Sequence, residues 1–188
     1  MMLSRNRQPK EDPRASVQEA PPITLRELRE ADLDRVVEIE ASCFESHWTR
    51  EAILAEMGNP AAFYAVATSA GKIVGYAGQW VIMDEAHITT IAVDPTRHGE
   101  RFGERLLIAL LQEARYRGAR RATLEVRITN KPARRLYEKY MFETVAIRRK
   151  YYQDTGEDAL IMWMNDLFDP KMSQLLGQRF GPAAEGSP

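Results

Sequence analysis

Residues 101–117 are the stretch that most limits how this chain can fold. Phe102, Leu106, Leu107, Leu110, Leu111 and Ala114 recur at helical spacing and form one apolar face. Gly118 follows as a fitting helix-ending residue. The period then drops to two. In "RATLEVRI", Ala122, Leu124, Val126 and Ile128 point one way and Thr123, Glu125 and Arg127 the other. A long amphipathic helix running straight into a strand needs a sheet to cover its face, which places the chain among α/β folds.

The flanking segments extend that pattern. "ITLREL" (23–28) alternates like a strand, and 29–44 has helical spacing at Leu33, Val36, Val37, Ile39 and Glu40, with Asp32 as its N-cap. A second helix spans 49–57, capped by Thr49 and stopped by Gly58-Asn59-Pro60. "AAFYAVATS" and "KIVGYAGQWVIM" read as strands joined by a turn at Ala70-Gly71. "EAHITTIAVDP" is a further strand, and Asn130 and Pro132 open a helix over 131–141. Two last strands flank Asp154-Thr155-Gly156. The order β-α-α-β-β-β-α-β-α-β-β predicts a mixed central sheet with helices on both faces.

With 188 residues, one domain with tails is expected: a disordered leader over 1–22, a domain over 23–168 and a partly disordered tail over 169–188, where Leu175, Leu176 and Phe180 could dock. The net charge of −1 gives no reason to expect a direct nucleic-acid partner. A single cysteine, Cys43, excludes an intrachain disulfide and fits a cytoplasmic location. The chain lacks an apolar run near the roughly 20 residues of a membrane span, so no membrane partner is expected.

Three places carry candidate chemistry. "DPTRHGERFGERLL" (94–107) feeds a helix N-terminus, where unpaired N–H groups favour anions and glycines allow close approach. Arg97, Arg101 and Arg105 recur every four residues and either contact phosphate or form a solvated face paired with Glu100 and Glu104. Glu125 stands in mid-strand: it is either a base whose carboxyl is raised by partial burial, or one half of an ion pair with Arg148 or Arg149. Tyr137 shares a face with Ala133, Leu136 and Tyr140 and is either core or a proton donor. His47, His87 and His98 lack metal-ligand spacing, so no metal is expected. Cys43 reads as a buried structural thiol.

In this order, "TTIAVDP", the glycine loop and its helix, "LEVRITN", "ARRLYEKYMF" and "RRKYYQDTGEDALIMWM" resemble the GNAT acetyltransferases, and within them the RimI group of protein N-terminal acetyltransferases. The likeness covers roughly residues 23–167. It implies a sheet splayed at an acetyl-CoA cleft, and direct acetyl transfer to a protein N-terminus, typically the alanine of a small-subunit ribosomal protein. The alternatives are transfer to a small amine or a lysine side chain, or a non-catalytic acyl-CoA binder. By the same likeness, Glu125 is the base and Tyr137 the acid. The backbone of Ile91, Ala92 and Val93 faces the thioester arm, His98, Gly99, Glu100, Arg101, Phe102 and Gly103 hold the pyrophosphate, and Asn130 touches CoA. Trp48, Tyr151 and Tyr152 border the peptide groove, with Glu45 and Glu157-Asp158 as looser contacts. The loop departs from the usual Gln/Arg-x-x-Gly-x-Gly/Ala: His98 takes the first place and Arg101 the first glycine, where a right-handed backbone is expected to admit arginine. The loop between Phe44 and Trp48 is also unlike the family's usual one.

Overall fold

The computed structural model describes residues 23–177. The leader expected over 1–22 and the far end of the tail, including Phe180, lie outside the described residues. Strands β1 (Ile23–Glu27), β2 (Ala62–Ser69), β3 (Lys72–Ile82), β4 (Glu85–Val93), β5 (Arg121–Arg127), β6 (Glu143–Tyr152) and β7 (Glu157–Met164) form one sheet in the order β1-β2-β3-β4-β5-β7-β6. All neighbours are antiparallel except β4 and β5.

Helices cover both faces. On one side α1 (Leu33–Cys43) and α2 (Arg50–Met57) bury Leu33, Val36, Ile39 and Ile53 against Tyr64, Val66, Tyr76 and Ala92. On the other, α3 (Phe102–Tyr116) lays Leu106, Leu107, Leu110 and Leu111 on the sheet. There it is joined by Tyr137 and Tyr140 of α4 (Lys131–Lys139) and Met172 and Leu176 of α5 (Pro170–Gly177).

Local chemistry sets the element ends. Thr49 caps α2 by accepting from Ala52 N at 3.2 Å, and Asn130 caps α4 by accepting from Ala133 N at 3.2 Å. Gly118 closes α3 at φ +88°, where Ala119 N reaches back to Ala114 O at 2.9 Å. The first helix differs from expectation. Asp32 is not its side-chain cap; its carboxylate takes Arg29 N at 2.8 Å and both ends of the Arg26 guanidinium. That closes a short 3₁₀ turn, Glu30–Asp32, and α1 begins after it. Ile128 also departs from its strand: β5 ends at Arg127 and Ile128 is exposed.

β6 is the outer strand beyond β7, paired on one side only and exposed along almost its whole length. Its register shifts twice, between Thr144 and Ala146 and between Arg148 and Tyr152.

Glu104 ties α3 to α4. It is 5% exposed and accepts from Arg101 Nε at 2.9 Å, Lys139 Nζ at 2.7 Å and the Tyr140 hydroxyl at 2.7 Å. Burial works to raise its carboxyl, but these donors outweigh it and hold the carboxyl at about 2. The native carboxylate therefore titrates below the unfolded value of about 4.3. Its stabilisation is complete above that value and is lost as pH falls toward 2. Melting curves between pH 5 and 2 should show this loss, and Glu104→Gln should flatten that limb. An unchanged acid limb in the variant would count against the network.

Candidate active site

The parallel pairing of β4 with β5 lasts only from Glu85↔Arg121 to Ile88↔Leu124. Beyond that level the strands part: β4 runs on to Val93 beside β3, and β5 runs on to Arg127 beside β7. A bulge in β4 falls at the same level. Gln79 faces Ile88 and Gly78 faces Thr90, so Thr89 is the extra residue. A cleft of about 330 Å³ opens at the split, and Thr89, Thr90 and Ile91 border it along β4.

Glu125 is the first β5 residue past the split, which explains how a carboxylate finds room in mid-sheet. Its side chain is 11% exposed. His87 pairs with Thr123, so it lies diagonally across from Glu125 on the same face. His87 Nε2 donates to Glu125 Oε2 at 2.8 Å, and Arg148 Nη1 donates to Oε1 at 3.0 Å. The His87 hydrogen bond, against burial and with help from Arg148, holds the carboxyl below its ordinary value. The expectation that burial would raise it is therefore overturned. The ion pair with Arg148 forms, while Arg149 pairs with Asp158 at 2.9 Å.

Tyr137 borders the same cleft from α4, and its ring packs tilted on Phe142 with centroids 5.9 Å apart. It is 9% exposed, and its hydroxyl has no hydrogen-bond partner among the described residues. Burial raises the phenol well above its ordinary value, so it stays protonated. Asn130, Trp48, Tyr151 and Tyr152 also line the cleft. The Arg127 guanidinium lies 3.9 Å from the Tyr152 ring centroid and is anchored by Asp154 and Glu157, which fixes the β6–β7 hairpin. Glu45, Glu157 and Asp158 do not line the cleft. Glu157 accepts from Thr129 N at 2.8 Å, and Asp158 from Lys150 N at 2.8 Å.

The glycine loop precedes α3. Gly99 stands at φ +86°, with open space where a Cβ would project. The N–H groups of Gly99 through Gly103 have no acceptor among the described residues, and they sit at the positive end of a 15-residue helix. That arrangement fits a pyrophosphate. His98 is tied to the end of β4 by its Nε2 contact with Val93 O at 2.9 Å.

Two arginines of the loop are engaged by neighbouring acids. Arg97 pairs with Glu100 at 2.6 Å and Arg101 with Glu104 at 2.9 Å. Arg101 has φ +66°, so the right-handed backbone expected there is wrong. A side chain in this left-handed region crowds its own carbonyl, and the hold on Glu104 offsets the strain. Arg101→Gly and Arg101→Ala both lose the guanidinium, but only glycine accepts this backbone freely. The glycine variant should be roughly 1 kcal/mol more stable than the alanine variant, worth about 2–4 °C in Tm. Equal melting temperatures would mean the loop relaxes to another backbone.

Cys43 is half-buried and borders the cleft, with Sγ donating to Val93 O at 3.3 Å. Burial raises the thiol, and the expectation of a fully buried Cys43 is corrected to a half-buried one. Two residues escaped sequence reasoning. His87 gave no signal, because its partner lies 38 residues on. Glu40 fell on the apolar stripe of α1, and a carboxylate there was the signal to follow: it is 2% exposed, accepts from the Tyr76 hydroxyl and borders the cleft. Among the described residues no three His, Cys, Asp or Glu side chains gather as a metal site, and no helix is long and apolar enough to cross a membrane.

Residues 33–142 match the model of the acetyltransferase (GNAT) family. The chain is 45% identical over 141 residues to a Bacillus subtilis protein provisionally named a ribosomal protein bS18-alanine N-acetyltransferase, a match covering 74% of this chain and 93% of that one. It is 35% identical over 141 residues to the ribosomal protein bS18-alanine N-acetyltransferase of Escherichia coli K12, covering 74% and 95%. The crystal structure of the ribosomal-protein-S18-alanine N-acetyltransferase from Escherichia coli superposes with a TM-score of 0.70 at 34% identity, over 76% of this chain and 93% of that one.

Proposed function

Because the chain belongs to the acetyltransferase (GNAT) family, we propose that it transfers the acetyl group of acetyl-CoA to the N-terminal α-amine of a protein, an alanine-starting ribosomal protein in particular. The observation that carries this reading is the convergence of Glu125 and Tyr137 on one cleft at the split of β4 and β5. A base and an acid flanking one reaction point are what amide formation from a thioester needs. The Escherichia coli relative is named for the alanine of bS18, and the Bacillus subtilis one provisionally so, which supports the choice of substrate.

The loop N–H groups of Gly99, Glu100, Arg101, Phe102 and Gly103, beside His98, would hold the pyrophosphate of acetyl-CoA. The backbone of Ile91, Ala92 and Val93 would hold its pantetheine arm, with Asn130 beside it. Acetyl-CoA supplies an activated acetyl thioester there. Glu125 then takes a proton from the substrate nitrogen as the new C–N bond forms. Its low-lying carboxyl suits a nitrogen made acidic by bond formation better than a free ammonium. The Tyr137 hydroxyl donates toward the sulfur as the C–S bond breaks. Trp48, Tyr151 and Tyr152 would border the entering peptide.

The test offers acetyl-CoA with alanine-starting peptides, lysine peptides, polyamines and aminoglycosides, and follows CoA release. Release with α-amine peptides is expected. Release only with the small amines, or acetyl-CoA binding without release on any acceptor, would overturn the reading.

A further inference from the structure

Among the described residues, each buried acid but one is bonded to an arginine or a lysine. Asp32 holds Arg26, Glu104 holds Arg101 and Lys139, and Glu125 holds Arg148 beside His87. Glu40 is 2% exposed, and no lysine or arginine pairs with it among the described residues. Its Oε2 accepts from the Tyr76 hydroxyl and its Oε1 from Trp48 N at 3.4 Å. Two oxygens have lone pairs to spare beyond those two donors. A buried carboxylate without a cation is costly.

The position of Glu40 says where the partner comes from. It borders the cleft together with Cys43, Phe44 and Trp48, and Glu125 and Tyr137 border that same cleft. The arginines near that cleft are committed: Arg127 to Asp154 and Glu157, Arg148 to Glu125. A peptide α-amine has an ordinary pKa of about 7.7–8.0 and arrives mostly as an ammonium.

We propose that Glu40 is the carboxylate that binds the substrate's α-ammonium, a role that rests on the acetyl-transfer reading of the cleft. Tyr76 and Trp48 hold the carboxylate in place, and the substrate supplies the missing positive charge. The bound ammonium first gives one proton to water to free its lone pair, a second passes to Glu125 as the C–N bond forms, and the product nitrogen is a neutral amide. Glu40 therefore favours the substrate over its own product, and the loss of charge on transfer helps the product to leave.

Calorimetry with CoA present tests this with an alanine-starting peptide and the same peptide already Nα-acetylated. Wild type should bind the free amine at least about tenfold more tightly, the scale of a charge-assisted hydrogen bond. In Glu40→Gln that preference should collapse to about twofold or less, while the acetylated peptide binds as before. A tenfold preference retained in Glu40→Gln overturns the proposal. Should Glu40→Gln fail to fold, Glu125→Gln decides, since Glu40 is then the remaining acid bordering the cleft. A preference kept there supports Glu40, and a preference lost there overturns it. If wild type acetylates no peptide α-amine, the functional reading itself falls. Peptide acetylation with an unchanged preference in Glu40→Gln sinks only the role of Glu40.

Discussion

Glu125→Gln is expected to lower kcat/KM for an alanine-starting peptide by roughly 10²–10⁴-fold, the scale of a positioned general base. The amide keeps an oxygen that can accept from His87 Nε2, so the local geometry survives. Only basicity and charge are lost. The lost pair with Arg148, whose side chain is 54% exposed, costs little stability. The wild-type pH profile should carry the same signature. Because His87 holds the Glu125 carboxyl below the ordinary value, the carboxylate is already formed throughout the neutral range. The rise of kcat/KM between pH 6 and 8 should then follow the peptide α-amine, near 7.7–8.0, rather than this residue. His87→Ala removes the largest influence holding the carboxyl down, so the Glu125 step, which lies on the acid side of the α-amine step, should move up in pH. Turnover unchanged in Glu125→Gln would remove the base from the mechanism.

Tyr137→Phe should cost kcat a comparable roughly 10²–10⁴-fold while leaving the fold intact. Phenylalanine keeps the ring on Phe142 and in the α3–α4 core, and the hydroxyl it drops has no partner among the described residues. The stability change is therefore small, which separates chemistry from folding. The loss belongs in kcat rather than in the KM for peptide, because the hydroxyl serves the departing sulfur and not the bound amine. Burial raises the phenol, so the basic limb of the profile must not fall within the neutral range on its account. A thioester with a leaving group more acidic than CoA should need the donor less and narrow the gap between wild type and variant. A gap that stays constant across leaving groups would speak against Tyr137 as the acid.

Much of the fold was legible because periodicity is local. The switch from helix to strand at Gly118, the caps at Thr49 and Asn130 and the turn at Ala70-Gly71 each depend on a few neighbouring residues. Of the residues the resemblance pointed to, the folded chain gathers Trp48, Ile91, Glu125, Asn130, Tyr137, Tyr151 and Tyr152 at one cleft, while Ala92, Val93 and the loop from His98 to Gly103 do not border it. What stayed hidden depends on register. Only the parallel pairing of β4 and β5 sets His87 diagonal to Glu125, and it reverses the expected direction of the Glu125 shift. The bulge at Thr89 has no residue signature of its own. Arg101 was misjudged because its backbone follows a 3₁₀ turn and a left-handed Gly99, and it enters α3 from the left-handed region rather than as a helical residue.

The outer strand β6 has a consequence for how copies of this protein behave in a crowded solution. A strand paired on one side only, carrying exposed Val145 and Ile147, is a template for stacking against its own kind. Two register shifts kink it, and Arg148, Arg149 and Lys150 line it with like charge, so two such edges repel before they can zip together. Arg148 thus holds two offices, as counter-ion to Glu125 and as part of the fence that keeps this strand solitary. Colloidal behaviour and acetyl transfer share a residue, and a change made there to alter the one will be felt in the other.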